Sequence, residues 1–243
     1  MKREKIFTDE AQLCDAFMAW ARRNGFTVYP ETAGWDVLLV DAGGRQTGVQ
    51  AKMSLNAKVI EQTIIPIYSW SDEGPDHRAV LIPEFGGFTA LVTAAGIGVF
   101  APDRNYRHYG KFVGAQLEFV VSDHERWHHR ALFDWNPTKR HELPVYVPDV
   151  RAGMPSPIQL TDWKVKALRL LAILARDGWV TAKEIRELGM DSRRWCTHYL
   201  VPHASGHGHW ARGRQCPAFD MQHPDVYAQI VAETPEKTSP GLS

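Results

Sequence analysis

No apolar run in the 243-residue chain approaches the roughly 20 residues that a membrane-spanning helix needs. Cysteine is scarce. Cys14, Cys196 and Cys216 form an odd, scattered set, which argues against a disulfide framework and suits a reducing compartment. After the opening Met-Lys-Arg-Glu-Lys only Ile6 and Phe7 precede the polar Thr8-Asp9-Glu10, with no secretory signal pattern, so the expected location is cytoplasmic. Internal repeats, low-complexity tracts, a glycine-rich phosphate loop and a nucleophile elbow are all missing. Neither sign of charge is in excess, with 28 Lys and Arg against 28 Asp and Glu. The charge is nevertheless uneven: residues 158–215 hold ten basic against five acidic residues, and residues 1–157 hold seventeen against nineteen. A basic C-terminal segment points to a polyanion partner or to a solvated basic face.

A hydrophobic content of 44% and a charged content of 23% describe an ordinary globular chain, long enough for one large domain or two smaller ones. Thr8 can cap a first helix that carries Asp9 and Glu10 in its opening turn, with Leu13, Phe17 and Trp20 or Ala21 on one buried stripe and Gly25 as its stop. Phe26–Tyr29 reads as a short strand closed by Pro30. WDVLLV, residues 35–40, is a second strand, Asp41-Ala42-Gly43-Gly44 a turn, and Gln46–Met53 a returning third strand. Asn56 can cap a helix to about Tyr68, RAVLI at 78–82 is a buried-type strand, and Phe88–Ala95 with Ile97–Phe100 suggests one more helix and strand. The order is therefore α-β-β-β-α-β and more. Residues 101–143 are rich in aromatics and histidines, among them Trp127, His128, His129 and Trp135, and give no clear element pattern. Pro144, Pro148, Pro155 and Pro157 mark 144–158 as a linker between a domain at 1–143 and another at 159–243.

The third strand holds an unusual pair. Gln50 and Lys52 alternate onto one face, and the hairpin brings both near Asp36, which is early on the partner strand. One reading is a cross-strand ion pair between Asp36 and Lys52. The other is a site: Asp36 and Gln50 offer side-chain oxygens, the Ala51 carbonyl offers another, and such hard ligands suit Mg²⁺ or Mn²⁺. Lys52 would then orient an attacking water or stabilise charge on a phosphate. Lys and Asp are seldom buried without a reason, and a third polar group in the patch favours the site. Glu31, five residues before Asp36, and Glu10 in the first helix are the spare acids, and Gln62 lies on the following helix.

Asp36, a turn, and Gln50-x-Lys52 in this element order resemble the PD-(D/E)XK nuclease superfamily. "YPETAGWDVLLV" with "VQAKMSLNAKVIEQ" is similar to a family of bacterial and phage proteins of unknown function classed with the PD-(D/E)XK phosphodiesterases. That family also carries a glutamate five residues ahead of the aspartate, matched by Glu31, and Ser, an apolar residue and Asn after the lysine, matched by Ser54, Leu55 and Asn56. The resemblance covers residues 8–100 by pattern and 160–220 more loosely. It implies an α/β fold with a restriction-endonuclease-like mixed sheet flanked by helices. It also implies metal-dependent hydrolysis of nucleic acid, with Asp36, Gln50 and Lys52 catalytic and Glu31 an auxiliary acid. Gln50 stands where the usual motif has Glu or Asp. Members resembling the Mrr group use Gln-x-Lys and are active, but one lost negative charge weakens metal binding and favours Mn²⁺ over Mg²⁺.

Beyond the linker, Trp163–Arg176 is a helical pattern with Val165, Leu168, Leu171, Ala172 and Ala175 on one face. Thr181-Ala-Lys-Glu184 is a capping box, Arg193–Leu200 a third helix, and His207–Phe219 a candidate two-stranded wing. Three short helices and a wing make a winged helix-turn-helix plan. Arg193 and Arg194 would open its recognition helix, with Arg212 and Arg214 in the wing, each pairing with a phosphate. Cys196, His198, His203, His207, His209 and Cys216 complete no zinc-ligand spacing and are expected to contact phosphate or water. The expected partner is DNA, with RNA not excluded, and the chain is a possible homodimer. The alternative is a nuclease fold without catalysis: a DNA- or protein-binding regulator, for example in phage–host defence or counter-defence. A weaker third option is a scaffold whose aromatic middle region meets a protein.

Overall fold

A computed structural model of the chain describes residues 6–64, 73–103, 117–122, 132–153 and 160–235. It divides into two compact units, one of Met1–Val147 with Arg151–Ser156 and one of Pro148–Val150 with Pro157–Ser243. The stretch 144–158 is thus not a simple linker. Tyr146 and Ala152 are buried in the structure, so parts of it serve as packing material.

The first unit is α/β. Helix α1 (Glu10–Arg23) is capped by Asp9 rather than Thr8: the Asp9 carboxylate accepts from the Gln12 amide at 2.8 Å, and the Thr8 hydroxyl donates to Asp9. Strand β1 (Thr27–Thr32) continues past Pro30, which was expected to close it. The reason is its place at the edge of the sheet, where a missing N–H breaks no interior ladder. Strands β2 (Trp35–Val40) and β3 (Gln46–Ala51) form the expected hairpin, in the register Val37↔Val49 and Leu38↔Gly48. Helix α2 (Ala57–Ile64) follows, capped by Asn56, and its expected extension to Tyr68 lies outside the described residues. Strand β4 (His77–Leu81), helix α3 (Thr89–Ala94), β5 (Gly98–Pro102) and β6 (Phe119–Ser122) complete the unit. The six strands lie in the order β1-β2-β3-β4-β5-β6. The β3–β4 and β4–β5 pairs are parallel and the others antiparallel, so the sheet is mixed. Trp127, His128 and His129 lie outside the described residues.

Side-chain alternation splits the core between the two faces of this sheet. Val37, Leu39, Val49, Ala51, Ala79, Leu81 and Phe100 pack with Leu13, Phe17 and Ala21 of α1. Val80, Ile82, Val99 and Ala101 pack with Val59 of α2 and Val92 of α3. Phe17 is the centre of the first cluster, with ring centroids 5.0–5.4 Å from those of Trp20, Phe100 and Phe119.

The second unit begins with α4 (Asp162–Asp177), then β7 (Val180–Thr181), α5 (Ala182–Glu187), α6 (Ser192–His198), β8 (Leu200–Pro202), β9 (His209–Arg212), α7 (Phe219–Gln222) and α8 (Pro224–Glu233). Its three strands lie in the order β7-β9-β8. The capping box of Thr181 and Glu184 is formed. The buried face of α4 is set by Ala167, Leu168, Leu170, Leu171, Ala172 and Leu174, whereas the expected Val165 is half-buried and Ala175 exposed. The hairpin occupies 200–212 rather than 207–219, because Gly206 and Gly208 take positive φ in its turn. No helix among the described residues is long and apolar enough to cross a membrane.

Phe17→Ala should remove the central ring of the α1 face and cost about 3–5 kcal/mol of unfolding free energy. Urea titration followed by tryptophan fluorescence measures this loss.

Candidate functional site

Local backbone geometry builds the site at the ends of β1, β2 and β3. Ala33 and Gly34 both take positive φ, 54° and 82°, and close the tight turn in which Thr32 pairs with Trp35. Glu31 also has positive φ, 46°, an uncommon conformation for a residue with a side chain. On β2, Asp36 stands just before Val37, the first residue in register with β3. Its Oδ2 accepts a hydrogen bond from the Ala51 amide at 2.7 Å, so a carboxylate takes the place of a ladder carbonyl. The Lys52 amide meanwhile donates to the Leu81 carbonyl at 2.9 Å, which holds the end of β3 against β4.

Around Asp36 lie three more ionisable groups. Lys52 Nζ donates to Glu10 Oε2, in the first turn of α1, at 2.8 Å. Glu31 Oε1 accepts from the Gly153 amide at 2.9 Å. Burial raises the pKa of Asp36; the Glu10 charge adds to the rise, and the Ala51 amide and the Lys52 charge oppose it. Burial likewise raises that of Glu31, with the Asp36 charge adding and the Gly153 amide and Lys52 opposing. Burial works against the Lys52 ammonium, but the bond to Glu10 and the Asp36 charge outweigh it, and the pKa rises above the ordinary lysine value. Cys14, one turn along α1, is pushed far up by burial and then by the charges of Asp36, Glu31, Asp15 and Glu10. Its thiol is a neutral packing group.

Gln50 departs from the expected juxtaposition. It is buried, opposite Val80 on the face of α2 and α3, and its Nε2 donates to the Gly34 carbonyl at 2.7 Å. Lys52 does not share that face: it lies beyond the last residue of β3, and its ammonium turns to α1. Asp36 and Lys52 therefore belong to one charged group with Glu10 and Glu31, while the Gln50 amide nitrogen is held by the hairpin turn. Glu10 was legible only as a spare acid in a first turn. Gly153, 122 residues from Glu31, had no signal in the local pattern.

Among the described residues, no group of three or more His, Cys, Asp or Glu side chains is arranged to hold a metal ion. Two side-chain oxygens here, Asp36 Oδ1 and Gln50 Oε1, take no hydrogen bond from the described residues, and oxygen donors are the kind that a hard cation would take.

In the second unit, Arg193 and Arg194 are exposed on α6 and Arg214 is exposed past β9, none of them paired among the described residues. Arg212 differs: its guanidinium is held by Asp220 at 2.7 and 2.9 Å, so a phosphate would have to compete for it. The hairpin turn carries histidines instead of arginines. Ser205 Oγ lies 2.7 Å from His203 Nδ1 and 2.9 Å from His209 Nδ1, and His209 stacks on Trp179 with centroids 3.7 Å apart.

The raised pKa of Asp36 has a definite consequence for stability. The folded chain holds that proton more tightly than the unfolded one, so stability is lost as pH rises from the ordinary carboxylate range through the folded value. Asp36→Asn keeps an acceptor for the Ala51 amide and removes the buried charge. The variant should be more stable than the parent at pH 7, and the difference should shrink below the ordinary carboxylate range. Urea titrations across pH test both signs.

Against known proteins, the chain matches no family model, no curated protein and no solved structure.

Proposed function

We propose that the chain is a metal-dependent nuclease that hydrolyses phosphodiester bonds of DNA, with a PD-(D/E)XK-type first unit and a winged-helix-type second unit. The observation that carries the reading is the acid–lysine group at the end of β3, where Asp36 accepts from the Ala51 amide and Lys52 stands beside it. The opening order α-β-β-β-α-β on a mixed six-stranded sheet supports the first assignment. Helices α4, α5 and α6 followed by the β8–β9 hairpin, with β7 joined to β9, support the second.

Mg²⁺ or Mn²⁺ would be held by the Asp36 carboxylate, the Gln50 amide oxygen and the Ala51 carbonyl, and would polarise the phosphate and supply hydroxide near neutral pH. Lys52 does the electrostatic work of the chain itself. Glu10 and Asp36 keep its ammonium charged, and a fixed positive charge in a half-buried site favours the negative charge that grows on a phosphate. Glu31, which holds a proton more readily than an ordinary carboxylate, is the auxiliary acid or base. Arg193, Arg194 and Arg214 pair with backbone phosphates, and Arg212 does so only by exchange with Asp220.

Purified protein incubated with plasmid and linear DNA in Mg²⁺ or Mn²⁺ should cleave. Asp36→Ala and Lys52→Ala should each lower the rate at least ~100-fold. Cleavage that survives both substitutions removes these residues from the mechanism. A separate binding titration should show that Arg193→Ala and Arg194→Ala each lower the slope of log affinity against log salt by about 1, the signature of one lost phosphate contact.

One observation favours the second reading, a nuclease-type fold that binds DNA or protein as a regulator without cutting. Gln50 replaces an acid and its amide nitrogen is tied to Gly34. That reading predicts binding without metal-dependent cleavage and little effect of Lys52→Ala.

A further inference from the structure

The β8–β9 hairpin of the second unit gathers polar groups that the chemistry proposed above leaves unused. His203 and His209 face each other across it, one step beyond the Pro202↔Trp210 pair, and the His203 amide donates to the His209 carbonyl at 2.9 Å. Their side chains turn to one point. The Ser205 hydroxyl lies within hydrogen-bond distance of both Nδ1 atoms, at 2.7 Å from His203 and 2.9 Å from His209.

A third contact fixes what His203 presents there. The Ser205 amide, which can only donate, reaches His203 Nδ1 at 3.2 Å. That nitrogen is therefore an acceptor, with its lone pair toward the cluster and the ring proton on Nε2. His209 is oriented from another side. Its ring lies on Trp179, with centroids 3.7 Å and planes 15° apart, a stack that holds the imidazole plane and leaves the nitrogen-bearing edge clear of the indole. Both histidines are half-buried and Ser205 is exposed, so the point on which they converge is open to solvent.

Two imidazole nitrogens aimed at one accessible point from opposite arms of a hairpin make a chelate. Among the described residues no third His, Cys, Asp or Glu side chain joins them in a metal-holding group. The protein therefore supplies two nitrogens, and the Ser205 hydroxyl and water are left to complete the coordination. Imidazole suits ions of the Zn²⁺ kind, whereas Mg²⁺ takes oxygen.

We propose that His203 and His209 form a bis-imidazole site for a transition-metal ion of the Zn²⁺ kind, separate from the oxygen-donor group of the first unit. Binding requires His209 to carry its proton on Nε2, the tautomer that His203 already has, and the exchange runs through solvent. A bound ion ties the two arms of the hairpin together and adds two positive charges to its tip. The site stands whether or not the chain cuts DNA.

Isothermal titration calorimetry on the full chain, stripped of metal by chelator and dialysed, tests this with Zn²⁺ as the probe. One Zn²⁺ per chain should bind at the hairpin, and His203→Ala and His209→Phe should each weaken that event at least about tenfold. His209→Phe keeps a ring on Trp179, and far-UV circular dichroism checks that each variant folds; should one fail, the other decides. Two controls should leave the event unchanged: Asp36→Ala, which removes an oxygen donor of the first unit, and His207→Ala, which removes the exposed histidine of the same turn. An absence of Zn²⁺ binding by the parent overturns the site, as does parental affinity in a folded His203→Ala or His209→Phe chain. Loss in Asp36→Ala or His207→Ala alone places the ion elsewhere and overturns it too.

Discussion

One ammonium set among three carboxylates holds the candidate site together. Glu10, Glu31 and Asp36 come from three different elements, and without Lys52 their charges would repel one another in a half-buried volume. Burial already disfavours ionisation of Asp36 and Glu31, and Lys52 is the group that opposes it at both. The fold meets this demand by ending β3 where it does. Ala51 is the last strand residue and gives its amide to Asp36; Lys52 is the first beyond the strand and is free to turn toward α1. The stability held back by such a cluster is the usual cost of a preorganised charged site.

Much of this was legible in the chain. Turn residues at 41–44 and the alternation on either side dictated the hairpin, and the hairpin dictated that Asp36 and Lys52 be neighbours. What escaped the sequence reading has a common cause, a partner far away along the chain. Gly153 on Glu31 and Glu10 on Lys52 bridge 122 and 42 positions, and no periodicity reports such separations. Gln50 escaped for a subtler reason. Strict alternation placed it beside Lys52, but a strand that ends at Ala51 cannot impose its alternation one residue further. Arg212 looked like an available cation because its carboxylate partner Asp220 sits in a separate short helix, α7.

In the second unit, the three-helix order was legible in helical spacing and in the Thr181–Glu184 capping box, and in the structure Thr161 and Asp191 also open helices by a side-chain bond. The hairpin was harder to place, since β8 has only three residues and β9 four, too short for an alternating pattern to declare itself. Its turn chemistry, two glycines with positive φ among three histidines, is what shapes the tip. The stacked Trp179 and His209 then fasten β9 to the chain end of α4 by a contact between rings thirty residues apart.

Pro30 and Glu31 have a further effect on how the sheet meets its surroundings. Both lie on β1, an outermost strand of the six, where exposed main-chain groups ordinarily invite a foreign strand to join. Proline removes one donor from that rim, and the left-handed backbone at Glu31 breaks its line. The kink that delivers a carboxylate inward thus also blunts the outer margin, and rim-to-rim growth into aggregates is disfavoured along β1.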